Sequence, residues 1–180
     1  LNVKKTDGDA YIAIASDSGK MVKFHESDVR VMGRNAAGVT GINLDDTNRA
    51  VSVATSNEGK LVLVITSKGY GKMTTIEDYR LTSRGSKGVI TLALNEKKGD
   101  LVSMKVVNGD EDLVIITKAG ILIRIPLEQV KIANRNTQGV KIINIKDDDV
   151  VSSVTVVPHE KESEEILEET SVETPVESNE

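Results

Sequence analysis

The sequence contains no cysteine and no tryptophan, and only 2% of its residues are aromatic. The lack of cysteine excludes disulfide frameworks, cysteine-ligated zinc sites and thiol nucleophiles. With one phenylalanine and three tyrosines in 180 residues, the core must consist of valine, isoleucine and leucine, which pack well on a pleated sheet. The composition therefore favours a β-sheet core that is not held together by disulfides.

Long apolar runs are also absent. No stretch approaches the roughly 20 consecutive apolar residues that span a bilayer, and no signal-like segment opens the chain. Together with the lack of cysteine, this pattern suits the cytoplasm, and we expect a cytoplasmic protein with no membrane partner. The chain begins at Leu1 rather than at methionine, and we interpret it as a fragment of a longer protein.

The net charge of −5 averages two unlike parts of the chain. Residues 158–180 carry nine glutamates and one lysine, whereas residues 1–157 carry 22 lysines and arginines against 19 acidic residues, a net charge of +3. A mildly basic body with an acidic tail suggests a polyanion-binding domain whose tail competes for the same surface. The alternative is that the tail only aids solubility.

A six-residue phrase, which we call the arginine phrase, occurs three times. It reads Arg-Asn-Ala-Ala-Gly-Val at residues 34–39, Arg-Gly-Ser-Lys-Gly-Val at residues 84–89 and Arg-Asn-Thr-Gln-Gly-Val at residues 135–140. Its glycines lie 50 and then 51 residues apart, and Gly19, Gly69 and Gly120 each precede them by 19 residues. A period of this size indicates a propeller, solenoid or array of supersecondary units.

Each repeat is predicted to contain about four short strands. A hairpin with Gly19, Gly69 or Gly120 in its turn comes first, and a short polar segment and the arginine phrase follow. Two further strands complete each repeat, at residues 39–44 with 51–54, 89–94 with 101–107, and 140–145 with 150–157. No sustained 3.6-residue apolar period occurs. We therefore predict an all-β, propeller-like array of four-stranded blades.

The repeat register sets the predicted boundaries. Residues 1–10 resemble residues 103–112 and are predicted to be the final strand of a truncated blade. Blades are predicted at residues 11–60, 61–112 and 113–157. Residues 158–180 offer few apolar side chains to bury, so we predict that this acidic tail is disordered.

The arginine phrases place Arg34, Arg84 and Arg135 at one position in successive repeats. Evenly spaced guanidinium groups suit a phosphate backbone, because each neutralised phosphate releases counterions. Lys72, Arg80 and Lys87 extend this basic field, although any one of them can be an ordinary surface charge. The alternative for the arginines is that they cap loops or pair with carboxylates.

Signals for catalysis are poor. The two histidines, His25 and His159, are far apart and show no metal-ligand spacing. The acidic runs at residues 45–46, 110–112 and 147–149 are interpreted as solvated turns. Residues 84–88 contain glycine and lysine but lack the spacing of a phosphate-binding loop, and no helix pattern follows them. We predict that this chain is non-catalytic and binds no metal or cofactor.

Several phrases together resemble the C-terminal domain of DNA gyrase A. They are residues 32–44, residues 69–74 (Gly-Tyr-Gly-Lys-Met-Thr), Tyr79 with Arg80, residues 83–89 and residues 135–140, and the resemblance covers residues 1 to about 157. It implies a β-pinwheel, a six-bladed disc whose blades exchange strands and bend double-stranded DNA around a basic rim. On this interpretation the chain holds the end of the third blade and the last three blades.

The resemblance also implies partners and a setting. They are the rest of the gyrase A protein and the gyrase B protein, in a bacterial, nucleoid-associated heterotetramer, a type II DNA topoisomerase that uses ATP and magnesium outside this chain. One feature departs from the family: the Gln-Arg-Arg-Gly-Gly-[Arg/Lys]-Gly box of its first blade is absent. Residues 81–88 keep a degenerate version, with Thr82 and Ser83 where the box has glutamine and arginine. The related topoisomerase IV domain and a protein-interaction propeller remain the alternatives.

Overall fold

The computed structural model describes residues 2–159, which form short strands and one-turn 3-10 helices. The strands are β1 (Tyr11–Ser16), β2 (Lys20–His25), β3 (Ala50–Thr55), β4 (Leu61–Thr66), β5 (Tyr70–Thr75), β6 (Val89–Ile90), β7 (Leu101–Val107), β8 (Glu111–Thr117), β9 (Leu122–Pro126), β10 (Val140–Lys141) and β11 (Val151–Pro158). The 3-10 turns are Glu26–Asp28, Ser56–Glu58, Ile76–Asp78 and Leu127–Gln129. Over this range no helix is long and apolar enough to cross a membrane.

The strands form three antiparallel sheets, ordered β3-β1-β2-β6, β10-β5-β4-β7 and β11-β8-β9. In each sheet a hairpin pairs with the last strand of its own repeat. In the first two sheets, a two-residue strand from the following repeat pairs with the second strand of the hairpin, β6 with β2 and β10 with β5. This confirms the predicted all-β fold and the exchange of strands between blades.

The apolar core lies between neighbouring sheets. Strand β4 faces both ways: Val62 and Val64 join a cluster with the first sheet, whereas Leu63 and Ile65 join a cluster with the third. All four side chains are at most 1% exposed. A strand buried on both faces reads as a continuous apolar run rather than an alternating one, which explains the Leu-Val-Leu-Val-Ile sequence at residues 61–65.

The sheets have an inner and an outer edge. Strands β3, β7 and β11 each end a sheet, and β7 packs against both β3 and β11, so these strands converge on one side. The exchanged strands β6 and β10 end the first two sheets on the opposite side. Because each exchanged strand begins with the last residue of an arginine phrase, the phrases of residues 84–89 and 135–140 lie along the outer edge.

Two predicted strands do not form. Residues 2–10 contain no strand, because their backbone N–H groups bond to side chains instead: Gly8 and Ala10 donate to the Glu26 carboxylate at 3.0 and 2.7 Å. Residues 39–44 also contain no strand. The predicted strands at 89–94 and 140–145 shrink to two residues each and join the preceding blade, because the amides that follow them turn to the carbonyls of Gly19 and Gly69.

The acidic tail predicted as disordered lies outside the described residues from residue 160 onward. Its first two residues are described: Pro158 ends β11, and His159 Nδ1 contacts the Asp112 carboxylate at 2.7 Å. The last blade therefore extends one residue beyond its predicted boundary at residue 157.

Candidate nucleic-acid interface

The second and third arginine phrases each dock on the segment that follows the phrase of the preceding repeat. The Gly85 N–H donates to the carbonyl of Gly41 at 2.7 Å, and the Asn43 N–H donates to the carbonyl of Ser86 at 2.9 Å. The same bond recurs one repeat later, where the Ala93 N–H donates to the carbonyl of Thr137 at 3.0 Å. The three phrases and the segments that follow the first two therefore form one continuous backbone row along the outer edge.

The arginines of the second and third phrases cap this row. Arg84 donates from Nε to the carbonyl of Asp28 at 3.0 Å and from Nη1 to the carbonyl of Thr40 at 2.7 Å. Arg135 donates from Nη1 to the carbonyl of Ile90 at 3.2 Å, the residue that corresponds to Thr40. Of the two uses weighed for these arginines, loop capping is the one that these contacts display. A guanidinium has five N–H donors, so both side chains keep donors for a ligand.

The remaining sequence-predicted residues differ in their access to solvent. Arg34, Arg80 and Lys87 are exposed, whereas Lys72 is completely buried. The Arg80 backbone is fixed by its neighbour Tyr79, which is 1% exposed and shares a 2.6 Å hydrogen bond with Thr91 through its hydroxyl. Three of the predicted cations are thus free to meet a ligand on the surface.

Lys72 does not reach the surface. Its ammonium donates to the carbonyls of Asn134 and Arg135, the latter at 2.7 Å, and to Thr137 Oγ1 at 3.1 Å. Burial, reinforced by the nearby positive charge of Arg135, lowers the pKa of Lys72 to about 8. The prediction that Lys72 contacts DNA is therefore corrected: all three of its donors are directed at the loop that carries Arg135.

A second group of cations surrounds Tyr70, and we call it the Tyr70 patch. The ammonium groups of Lys98 and Lys141 lie 5.1 and 5.8 Å from the centre of the Tyr70 ring, within the range of cation–π attraction. The patch consists of Tyr70, Lys68, Lys97, Lys98, Lys141 and Lys146. Lys97, Lys141 and Lys146 are exposed and line one shallow cavity beside Tyr70.

The fold assembles the Tyr70 patch from separate segments. Lys141 stands opposite Tyr70 in the β5–β10 pairing. Lys98 approaches from the loop before β7, where its ammonium donates to Gln138 Oε1 at 2.7 Å. The sequence alone does not place Lys97, Lys98 and Lys146 here, because strand exchange brings the third repeat against the second. The signal in the sequence is the pair of adjacent lysines, Lys97 and Lys98, in the charged loop at residues 95–99.

Two acidic residues that were predicted to be solvated are buried. Asp149 is 4% exposed and accepts backbone N–H bonds from Ala119 and Val150 at 3.0 and 2.8 Å. Hydrogen bonding, with Thr117 as the largest contributor, lowers the pKa of Asp149. Asp112 is 5% exposed, and its pKa is lowered by its hydrogen bonds from His159 and, secondly, Arg124. Both acids therefore fix the last blade rather than offering a free carboxylate.

The chain matches a family model described as "DNA gyrase C-terminal domain, beta-propeller" in three segments, residues 10–57, 60–108 and 111–158. It is 43% identical over 170 residues to the DNA gyrase A protein of Ureaplasma parvum and 40% identical over 176 residues to that of Staphylococcus aureus. These alignments cover 94% and 97% of the chain but only 20% of each relative. The chain thus spans about a fifth of the length of these curated relatives.

Solved structures show the same fold. A DNA gyrase A C-terminal domain superposes with a TM-score of 0.76 at 24% identity, over 83% of this chain and 51% of that one. The C-terminal domain of a DNA topoisomerase IV superposes with a TM-score of 0.79 at 23% identity, over 85% of this chain and 48% of that one. At these identities the superpositions describe the architecture alone.

Proposed function

The chain belongs to the DNA gyrase C-terminal domain family of β-propellers, and from this premise we propose that it binds double-stranded DNA along its outer edge and bends it. The observation that carries the proposal is the position of the cations. The arginine phrases and the Tyr70 patch lie on the side where strands are exchanged, away from the converging inner strands β3, β7 and β11. An interaction platform would instead present a face of the propeller.

Two sets of cations bind the DNA phosphates in this proposal, one around the arginine phrases and one in the Tyr70 patch. Arg34, Arg80 and Lys87 are exposed and meet phosphates directly, while Arg84 and Arg135 hold the phrase row and contribute their remaining donors. The Tyr70 patch adds five lysines. Because phosphate contacts carry no sequence information, binding is expected to depend little on base sequence.

Bending limits how weak these contacts can be. Smooth bending of a 20–30 base-pair duplex costs on the order of 1–6 kcal/mol, and the phosphate contacts must offset this cost. Within the whole protein, the bent segment is presented to the DNA-cleaving part of gyrase A. Together with gyrase B, the enzyme uses ATP to drive negative supercoiling, and both ATP and the magnesium cofactor are bound outside this chain. The bacterial cytoplasm, at the nucleoid, is the proposed location.

The test is the salt dependence of binding to a short random-sequence duplex. With at least four phosphates neutralised, the logarithm of the association constant should fall against the logarithm of salt with a slope of about −3.6 or steeper. A second duplex of different base composition serves as the control and should give the same affinity. No binding at about 50 mM salt, or a slope near zero, would contradict the proposal and favour a protein-interaction role.

The acidic tail gives a separate prediction, although residues 160–180 lie outside the described part of the chain. Deleting them should raise DNA affinity severalfold at low salt, because nine glutamates covalently attached to the domain compete with phosphates at high effective concentration. The deletion should begin after His159 to keep its contact with Asp112. Equal affinities with and without the tail at low salt would show that it only aids solubility.

A further inference from the structure

Lys72 is an unusual residue in this fold because its charge is buried without a counter-charge. Among the described residues, no carboxylate lies within ion-pairing distance of its ammonium. A buried ammonium is costly unless hydrogen bonds replace its lost hydration. Here all its bonds go to residues 134–137, the loop that opens the third arginine phrase. The charge is therefore held by this loop alone.

The geometry points to Lys72 as a positioning residue: we propose that its three N–H donors clasp the loop of residues 134–137 and thereby hold Arg135 and Asn136 in place for DNA. This inference rests on the proposed DNA binding. Asn136 is exposed, and Arg135 and Asn136 line a small open cavity together with Asn134 and Asp78. The loop thus presents polar groups outward while Lys72 holds it from beneath.

The contacts of Lys72 continue a row of hydrogen bonds between β5 and residues 131–133, which directly precede the loop of residues 134–137. Met73 exchanges backbone bonds with Lys131 and Ala133 at 2.9 Å each, and Thr74 Oγ1 donates to the carbonyl of Ala133 at 2.8 Å. Beyond Ala133 the backbone leaves β5, and Lys72 makes the next contacts in the row. Lys72 is therefore the last attachment before Arg135 and Asn136.

The clasp occurs at one blade. Counting from the turn glycines, the residues equivalent to Lys72 are Val22 in the first hairpin and Ile123 in the third. Neither side chain has an N–H donor. The attachment ahead of the phrase is common to both repeats: the Thr82 N–H donates to the carbonyl of Lys23 at 2.7 Å, as the Ala133 N–H donates to that of Met73 at 2.9 Å. The clasp is a specific feature of the loop at 134–137.

The clasp depends on a proton. An ammonium has three donors, one for each of the three acceptors, whereas a neutral amine has two donors and a lone pair that would face an oxygen. With a pKa of about 8, Lys72 changes state in mildly alkaline solution. The charged group that acts on Lys72 is Arg135, which lowers this pKa; Tyr79, whose own pKa is raised by burial, and Asp78 both lie near Arg135.

The experiment measures DNA affinity of the full chain at pH 7 and pH 9 for the wild type and for Lys72→Met, which approximates the side-chain length and removes the donors. The variant should bind about tenfold more weakly at pH 7, equivalent to about 1.4 kcal/mol. Its salt slope should equal that of the wild type, because no phosphate contact is lost. The wild type should weaken toward the variant at pH 9, whereas the affinity of the variant should change little.

The matched control is Lys105→Met on the inner strand β7. Lys105 is only half-buried, but burial lowers its pKa as well. It lies away from the outer edge, so its loss should leave affinity and its pH profile unchanged. A second variant, Thr137→Val, removes one acceptor of the clasp and should weaken binding less than Lys72→Met. This keeps the proposal testable if Lys72→Met folds poorly.

Amide hydrogen exchange of residues 134–137 at pH 7, without DNA, separates the clasp from the proposed function. Faster exchange in Lys72→Met supports the clasp whether or not DNA binds. A wild type that binds no DNA overturns the proposed function and the DNA role of the clasp. A wild type that binds DNA, with an unchanged affinity and pH profile in Lys72→Met, overturns the inference alone.

Discussion

Gly88→Ala is expected to lower the free energy of unfolding by about 1–3 kcal/mol more than Gly38→Ala, the same substitution at the same position of the first arginine phrase. Both glycines have positive φ, +75° and +85°, so an alanine side chain strains the backbone similarly at both. Their surroundings differ. A Cβ at Gly88 would lie 2.5 Å from the carbonyl oxygen of Met21, whereas one at Gly38 would meet nothing within 4 Å.

The close contact at Gly88 comes from strand exchange. Val89, the next residue, pairs with Met21 in the β2–β6 ladder, and the phrase must approach β2 closely for this pairing to form. Chemical denaturation of the two variants, followed by circular dichroism, measures the difference. Equal destabilisation would mean that the phrase does not dock on β2 in solution. Gly139, whose added Cβ would lie 2.7 Å from the carbonyl oxygen of Gly71, should behave like Gly88.

The period of the glycines predicts most of the fold, for a physical reason. The Gly19 carbonyl accepts bonds from Thr91 and Leu92, just beyond the phrase of the next repeat, so the two glycine sets mark the two sides of one junction between blades. The hairpins could be predicted because they are local in sequence. The exchange of strands could not be derived from apolar periodicity, since two residues are too few to show alternation; the family resemblance supplied it.

The site was only partly predictable. The phrase arginines are recognisable as a set, but whether they cap loops or meet a ligand depends on the carbonyls of the preceding repeat, which the sequence does not position. Lys72 belongs to a residue type that normally lies on the surface, and its burial follows from the loop at 134–137 folding over β5. The sequence did not predict that the residues of the Tyr70 patch lie together, because its lysines come from the second and third repeats, which meet only after strand exchange.

Replacing Lys97, Lys141 and Lys146 together with glutamine should weaken DNA binding by roughly 100-fold at about 0.1 M salt. All three are exposed in one cavity beside Tyr70, so each can neutralise a phosphate. Losing three contacts should flatten the salt slope by about 2.7, and the affinities of variant and wild type should converge as salt approaches about 1 M. Titration of a fluorescent duplex at several salt concentrations measures both quantities.

The matched control is the triple replacement of Lys4, Lys5 and Lys60 with glutamine, which changes the net charge equally. These lysines are also exposed, but Lys4 pairs with Glu58 and lines a pocket against β3 and β7, and the Lys60 N–H donates to Val107 of β7. If binding responds only to net charge, both triple variants should lose affinity equally. A loss confined to the Tyr70 patch would locate the DNA on the outer edge, because charge spread evenly over the domain cannot distinguish the two sides.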